Sequence, residues 1–445
     1  MKFQVKEKKI YIETYGCQMN IADSEIVASI MNAAGYSVTG NISESDLVLI
    51  NTCSIRENAE QKIWNRLKSL KALKKRNPDL MIGVIGCMAE RLKETLLESN
   101  LPVDLVAGPD SYRTLPELTF HAERGQNRIN TILSEDETYA DIEPVRLDSN
   151  GVSAFITIMR GCNNMCSYCV VPFVRGIERS RDPESIVKEA EQLFSKGYRE
   201  VTLIGQNVNS YYWEDGNSVV KFPQILERVA LINPLLRVRF STSHPKDLSD
   251  ELLNTMAAHK NICKHIHLPV QSGSTRILKL MNRQYTRDWY MERLATIRRI
   301  IPECSISTDI IAGFCTETEE DHRETLSLME WAEFDFAYMF KYNERPGTRA
   351  ARNLKDDVPE EIKLKRLNEI ISLQNRLSAK SKKADIGKIY EILVEGTSKR
   401  SPEYLSGRNS QNKVVVFPSG NIQKGEYVNV LIEKSTSATL IGKVI

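Results

Sequence analysis

The sequence predicts an α/β protein in three parts. These are an N-terminal doubly wound parallel sheet, a central incomplete (β/α)6 barrel and a small C-terminal antiparallel β-barrel. Three observations predict this. Strand-like and helix-like runs alternate near the N-terminus and again from 151 onward. The stretch 134–150 (SEDETYADIEPVRLDSN) is acidic, polar and lacks apolar periodicity, so it reads as a linker. From 385 the helical pattern stops and short strand runs with turn signals follow. The expected boundaries are therefore 1–133, 134–150, 151–384 and 385–445.

In the first part, 8–15, 46–51 and 80–85 are β-rich, and 22–33, 57–76 and 90–98 have helical spacing. Strands alternating with helices imply a parallel sheet covered on both faces. In the second part the strand candidates lie near 153–159, 200–203, 237–242, 265–270, 305–311 and 336–342, with helices between. Six such strands make a partial barrel whose working face is the C-terminal strand edge. The run 360–383 reads as one long closing helix. The third part offers 389–395, 404–407, 413–417, 427–432 and 439–444, with a turn at Pro418-Ser419-Gly420-Asn421.

A length of 445 residues calls for more than one core. Net charge is only +2, so any nucleic-acid contact must come from local patches. One candidate patch is 62–76, with seven Lys/Arg and no acid; a second runs through Lys363, Lys365, Arg366, Arg376, Lys380, Lys382 and Lys383. Such runs are more often plain solvated helix faces. The C-terminal part has eight Lys/Arg against six acids, so its composition does not argue for RNA. No apolar run approaches the ~18 residues of a membrane span, and the first residues contain no signal-peptide core. A cytoplasmic monomer without membrane contact is expected.

Nine cysteines, mostly far apart, are not a disulfide framework and suit metal ligation in a reducing compartment. Cys162, Cys166 and Cys169 form a Cys-x3-Cys-x2-Cys run just after the first central strand. Three thiolates on one loop can hold three irons of a 4Fe–4S cube, leaving the fourth iron open for another ligand. The competing reading is structural zinc, but that needs a second hook or two His, and no His lies between Cys169 and His244. Cys17, Cys53 and Cys87 each follow an N-terminal strand. Ligands of open α/β sheets bind beyond the carboxyl ends of the strands, so these thiols are expected at one sheet edge as a second, dispersed site. Taken singly, each would pass for a buried core thiol.

Other candidates lie at the barrel's C-terminal rim. Gly205, Gln206 and Asn207 follow the second strand; the glycine allows close backbone approach, and the amides can meet a bound amino group. Ser241 ends the third strand, ahead of His244. Gln271 and Ser272 follow the fourth, as candidate ribose or adenine contacts. Asp309, in an apolar β run, needs a partner, and a structural ion pair explains it as well as a cofactor contact does. No proton-transfer role is assigned to either rim histidine, His244 or His267.

The Cys-x3-Cys-x2-Cys run resembles that of the radical S-adenosylmethionine (SAM) superfamily. More of the chain resembles its methylthiotransferase family. The words are Thr14-Tyr15-Gly16-Cys17-Gln18-Met19-Asn20, Asn51-Thr52-Cys53-Ser54-Ile55-Arg56, Gly86-Cys87-Met88-Ala89-Glu90-Arg91, and Cys169 through Pro172 with Arg175-Gly176, Glu178 and Ser180-Arg181. The resemblance implies a C-terminal TRAM-like RNA-binding module. It implies two 4Fe–4S clusters, one on Cys162, Cys166 and Cys169 that cleaves SAM, and an auxiliary one on Cys17, Cys53 and Cys87 that supplies sulfur. It implies methylthiolation of C2 of N6-dimethylallyladenosine at position 37 of a tRNA anticodon stem-loop, with one SAM as methyl donor and one as radical source. A flavodoxin- or ferredoxin-like reductant and iron–sulfur assembly or sulfur-donor proteins are the implied partners. Sister branches act on threonylcarbamoyl-adenosine in tRNA or on a ribosomal-protein aspartate. A non-catalytic iron–sulfur RNA-binding protein is the reading from another class. Where the family commonly has Pro-Gly-Glu-Thr after Gly313-Phe314, this chain has Cys315-Thr316-Glu317-Thr318. Cys315 is expected to be structural.

Overall fold

The computed structural model describes residues 7–54, 57–98, 100–147 and 150–445. Ile55 and Arg56 of the second cysteine word, and two positions of the expected linker, lie outside them. Two compact units are present. One comprises Met1–Asp148, Met159–Asn163 and Val170–Arg181; the other comprises Ser149–Ile158, Asn164–Cys169 and Asp182–Ile445. The units thus cut the chain differently from the sequence boundaries, because Met159–Asn163, which carries Cys162, and Val170–Arg181 group with the N-terminal sheet.

The first unit holds a parallel sheet in the order Tyr36–Val38, Lys8–Thr14, Leu47–Thr52, Met81–Gly86, Leu105–Ala107, Arg128–Asn130. Successive strand residues face opposite sides. Leu47 and Leu49 therefore join one core with Ile26, Val27 and Met31 of the helix Gln18–Ala33. Val48 and Ile50 join the other, with Ile63, Leu67 and Leu70 of the helix Glu57–Arg76. Three of the six strands escaped sequence reading: each has only three residues, too few to show a period of two. The order reverses between Lys8–Thr14 and Leu47–Thr52, which makes that gap the topological switch point.

In the second unit, Ser153–Thr157, Glu200–Ile204 and Arg237–Ser241 pair in parallel, as do His265–His267, Ser305–Ala312 and Phe336–Lys341. An isolated parallel bridge, Val238–Ile262, ties the third strand to the segment just before the fourth. These six strands run in chain order and form the expected open half-barrel, with helices such as Pro183–Ser195, Arg287–Ile300 and Glu360–Lys383 on its outside.

The C-terminal strands Ile389–Ser398, Ser401–Arg408, Val414–Pro418, Leu440–Val444 and Tyr427–Ser435 close into a barrel in that order. Its pairs are antiparallel except Val414–Pro418 with Leu440–Val444, which is parallel. This barrel packs at the N-terminal ends of the half-barrel strands. Glu200, fully buried, accepts hydrogen bonds from Arg239 Nε (2.7 Å) and Arg408 Nη2 (2.6 Å). Arg237 donates to Arg408 O at 2.7 Å, and Tyr427 Oη to Leu235 O at 3.0 Å. The rim that carries the candidate residues is at the opposite strand ends.

Candidate metal centres

Cys17, Cys53 and Cys87 are brought to one edge of the N-terminal sheet, at and beside its switch point. Cys17 caps the helix Gln18–Ala33 from extended backbone, and Asn20 Oδ1 accepts from its backbone N–H at 3.3 Å. This helix starts four residues before the 22–33 run because the cap itself begins it. Asn20 Nδ2 donates to Asn51 Oδ1 and to Thr52 O, both at 3.0 Å, tying the first cysteine turn to the second. Thr52 Oγ1 donates to Ile85 O at 2.6 Å, tying the second to the third. The turns approach so closely that only glycine fits at two points. At Gly16 (φ +130°) a Cβ would lie 2.6 Å from Cys53 Cβ; at Gly86 (φ +89°) it would lie 2.5 Å from Asn51 Oδ1. Cys87 opens the helix Cys87–Leu92 directly after Gly86.

The charge around these thiols is arranged. A hydrogen bond from Cys53 pulls the Cys17 thiol down to about 6 against the cost of burial, with help from the nearby Arg175 guanidinium. Burial pushes the Cys87 thiol up, although Arg175 Nε donates to its Sγ at 3.2 Å. Arg175 Nη2 and Arg160 Nη2 donate to the two oxygens of Asp23, each at 2.7 Å, in an environment closed to solvent. Burial alone would raise the Asp23 carboxyl, but these two guanidiniums hold it below its usual value. Arg179 is paired with Asp110 at 2.9 Å. Arg175 is the guanidinium of this network that reaches the sulfurs, contacting Cys87 and lowering Cys17, as suits a thiolate centre.

Cys166 and Cys169 lie on the turn after the first half-barrel strand, where Cys169 N donates to Cys166 O at 3.0 Å. Ser167 N donates to Met281 O (3.0 Å), and Ala350 N to Ser167 O (2.6 Å). Arg283 Nη1 donates to Cys166 Sγ at 3.3 Å. Cys162 belongs to the other unit, where its N–H donates to Gly176 O at 3.1 Å. Among the described residues no three Cys, His, Asp or Glu side chains converge on a point that could hold one metal ion. A cube spreads its thiolates over separate irons, so it does not require such convergence. Thiols are the right donors for iron–sulfur chemistry, and the lowered Cys17 thiol and the guanidinium–sulfur contacts fit it.

At the half-barrel rim, Gly205 N donates to Ser241 O at 3.2 Å, and Ser241 Oγ lies 3.4 Å from Thr242 Oγ1. Asn207 donates to Asp247 (2.7 Å) and accepts from His244 N (3.0 Å), so it braces the rim. Gln271 has φ +73° and bridges to the strand Ser305–Ala312, its N–H donating to Asp309 O at 2.8 Å. Ser272 is fully buried, with its hydroxyl between Thr325 and Ser274 N. Asp309 Oδ1 lies 3.3 Å from His267 Nε2 but is misaligned for a hydrogen bond. Gln206 Oε1, Asn209 Nδ2 and His244 Nε2 are buried without a hydrogen-bond partner among the described residues. Burial, Arg283 and Lys246 together push the His244 imidazole down to about 2, so the ring is neutral. Its Nδ1 accepts from Lys246 N, which leaves Nε2–H as a donor. Such orphaned polar atoms fit a polar ligand such as SAM at this rim.

Sequence reasoning missed Arg160, Asp23 and Arg283, because a lone charged residue gives no periodic signal. Arg175 stood inside a quoted word, but nothing in the word said that it touches a sulfur.

The match to the family described as Uncharacterized protein family UPF0004 covers 9–108, that to the Radical SAM superfamily covers 156–329, and that to the TRAM domain covers 383–445. A tRNA-2-methylthio-N(6)-dimethylallyladenosine synthase of Bacteroides fragilis is 60% identical over 437 residues, 98% of this chain and 95% of the relative. The synthases of Amoebophilus asiaticus (59%; 98% of this chain, 92% of the relative) and Porphyromonas gingivalis (55%; 99% and 96%) are comparable. Among solved structures, the radical SAM methyltransferase TsrM of Kitasatospora setae aligns with a TM-score of 0.55 at 15% identity, covering 78% of this chain and 77% of that one. The cobalamin-dependent radical SAM enzyme OxsB aligns at 0.52 and 12%, covering 83% and 56%. At these identities the alignments speak for the fold alone.

Proposed function

The chain belongs to the radical SAM methylthiotransferases, in the branch of the tRNA-2-methylthio-N6-dimethylallyladenosine synthases, and from this premise we propose how its own residues divide the work. It is a radical SAM tRNA methylthiotransferase that uses 4Fe–4S clusters and SAM. Cys162, Cys166 and Cys169 hold the SAM-cleaving cluster; Cys17, Cys53 and Cys87 hold the auxiliary one. When bound, these groups supply reductive cleavage of SAM and the sulfur delivered to C2 of the adenine at position 37, with a second SAM giving the methyl group. That C–H has no useful acidity, so cofactor-borne radical chemistry is the accessible route.

The chain's residues bind, brace and balance charge. Arg175 donates to Cys87 Sγ while Asp23 fixes its guanidinium. Asn20, Asn51 and Thr52 lock the three cysteine turns together. At the rim, the Gly205 and Gln206 backbone, Ser241, Gln271 and Asp309 are the proposed SAM contacts, with Asn207 and Ser272 holding the rim's shape. The neutral His244 offers a donor and no base. We assign 1–133 to the auxiliary-cluster domain, 151–384 to the radical SAM domain and 385–445 to the RNA-binding module, with 134–150 between them. The target base must be splayed from its loop, as in single-stranded loop recognition. A flavodoxin- or ferredoxin-like protein is the proposed reductant, assembly proteins renew the sulfur, and the cytoplasm is the proposed site of action. Among the described residues no helix is long and apolar enough to cross a membrane.

The observation that carries this reading is the dispersed triad. Three cysteines from three separate strands meet at one sheet edge in a chain that also has the Cys-x3-Cys-x2-Cys loop. The test is anaerobic: reconstituted protein, SAM, dithionite and a prenylated anticodon stem-loop, read by mass spectrometry. A methylthio mass gain on the adenine with 5′-deoxyadenosine formed is expected. 5′-Deoxyadenosine without RNA modification would refute the substrate; neither product, with iron bound, would refute the enzyme reading.

A further inference from the structure

Arg283 is a buried cation that pairs with no carboxylate among the described residues. It is 4% exposed. Its Nη2 donates to Pro269 O at 2.7 Å, its Nε to Tyr285 Oη at 2.8 Å, and its Nη1 to Cys166 Sγ at 3.3 Å. Besides burial, the strongest influences on it come from Tyr285, Tyr168 and Cys166, with no Asp or Glu among them. Other deep arginines differ: Arg160 and Arg175 share Asp23, Arg239 holds Glu200, and Arg366 holds Glu317. A guanidinium cannot shed its proton to escape burial, and a buried charge without a counter-charge is costly. Of the three groups that Arg283 holds, a backbone carbonyl, a phenol and a sulfur, the sulfur is the one that belongs to a candidate metal ligand.

We propose that Arg283 is a positioning residue that supplies the counter-charge to the Cys166 thiolate and to the iron–sulfur group it ligates, and that it raises the reduction potential of that group. The inference rests on the reading of Cys166 as a cluster ligand. Hydrogen bonds to the sulfurs and local net charge are what set such potentials. One-electron reduction adds one negative charge, and a fixed cation hydrogen-bonded to a ligating sulfur stabilises the reduced form more than the oxidised one. The electron comes from the external reductant, dithionite in the assay, and no bond to Arg283 forms or breaks. The Nη2 bond to Pro269 O anchors the guanidinium to the end of the fourth half-barrel strand, so the charge stays in place.

The experiment uses full-length protein carrying Cys17→Ala, Cys53→Ala and Cys87→Ala, so that only one cluster reports. Iron content and the midpoint potential, from an electron paramagnetic resonance titration before SAM is added, are compared for this parent and for Arg283→Gln, Arg283→Lys and Tyr285→Phe. Arg283→Gln is expected to move the potential down by about 59 mV or more, a tenfold fall in the reduced-to-oxidised ratio at fixed potential for one electron. Arg283→Lys keeps the charge and should recover most of that shift. Tyr285→Phe loosens the strut but keeps the cation, and should leave the potential near the parent's. If the Gln variant holds no iron, rescue of iron loading by Lys supports the proposal and failure of Lys to rescue overturns it. An unmoved potential in an iron-loaded Gln variant, or an equal shift in Tyr285→Phe, overturns it as well. A parent without iron would refute the ligand reading itself, which is visible before any Arg283 variant is made.

Discussion

The two cysteine triads use one donor chemistry and are built in opposite ways. Cys162, Cys166 and Cys169 sit within eight consecutive residues, so their neighbourhood is set by the chain itself. Cys17, Cys53 and Cys87 are neighbours only because three parallel strands end at one edge of a sheet. The surroundings differ in the same sense. The dispersed site carries its own compensated ion network, in which Asp23 neutralises part of the charge of Arg160 and Arg175. The loop site has Arg283, which donates to Cys166 Sγ and pairs with no carboxylate among the described residues. A site assembled by topology needs a folded scaffold that is stable before any metal arrives. A site assembled by one loop can leave one of its charges to the ligand.

The sharpest way to break this comparison is to remove cysteines from each side. Cys166→Ala or Cys169→Ala should abolish 5′-deoxyadenosine formation, a loss beyond the ~10–100-fold typical of a metal's outer-shell partners. Cys17→Ala should leave 5′-deoxyadenosine formation intact and stop methylthiolation. Methylthiolated RNA from the Cys17→Ala protein would end the division of labour.

Next in size is Asp23→Asn. It leaves Arg160 and Arg175 buried against a neutral amide, and should destabilise the N-terminal unit by about 3–5 kcal/mol in a denaturant melt. A loss below about 1 kcal/mol would mean that the network does not hold the dispersed site together.

Glu200→Gln applies the same operation far from either triad, between Arg239 and Arg408, and should cost about 3 kcal/mol. Burial works against the ionised Glu200, but Arg239 and Arg408 hold its carboxyl below the usual 4.5. Its contribution is therefore present above pH 4.5 and lost as pH falls through the lowered value. The wild type should lose stability there on acidification more steeply than the Gln variant. Parallel acid profiles would show that the seat of the C-terminal barrel does not depend on this charge.

The smallest effect is expected on the basic helix Glu57–Arg76. Lys68 and Lys75 are exposed on it, and replacing both by Gln should change stability by less than about 0.5 kcal/mol. Stem-loop affinity should fall modestly, with a shallower salt dependence. An unchanged salt slope would make this helix a plain solvated face.

The sequence by itself determined the order of the parts and the spacing of the candidate donors. The loop spacing needs no folding to be read, and the strand–helix alternation of 8–98 and 153–383 follows from side-chain periodicity, which is local. The C-terminal module was legible as a barrel from its turns, but its one parallel pair was not, because strand direction depends on which strand closes the barrel. Only the tertiary structure decided what surrounds the sulfurs. Three-residue strands such as Leu105–Ala107 carry no pattern, yet they complete the sheet beside the dispersed site. Asp23, Arg160, Arg175 and Arg283 look like ordinary surface charges in the chain, and it is burial that makes them partners. Periodicity and ligand spacing are properties of neighbours in sequence, whereas compensation of a buried charge is a property of neighbours in space. The three-dimensional fold was therefore needed to find the residues that balance the thiolates.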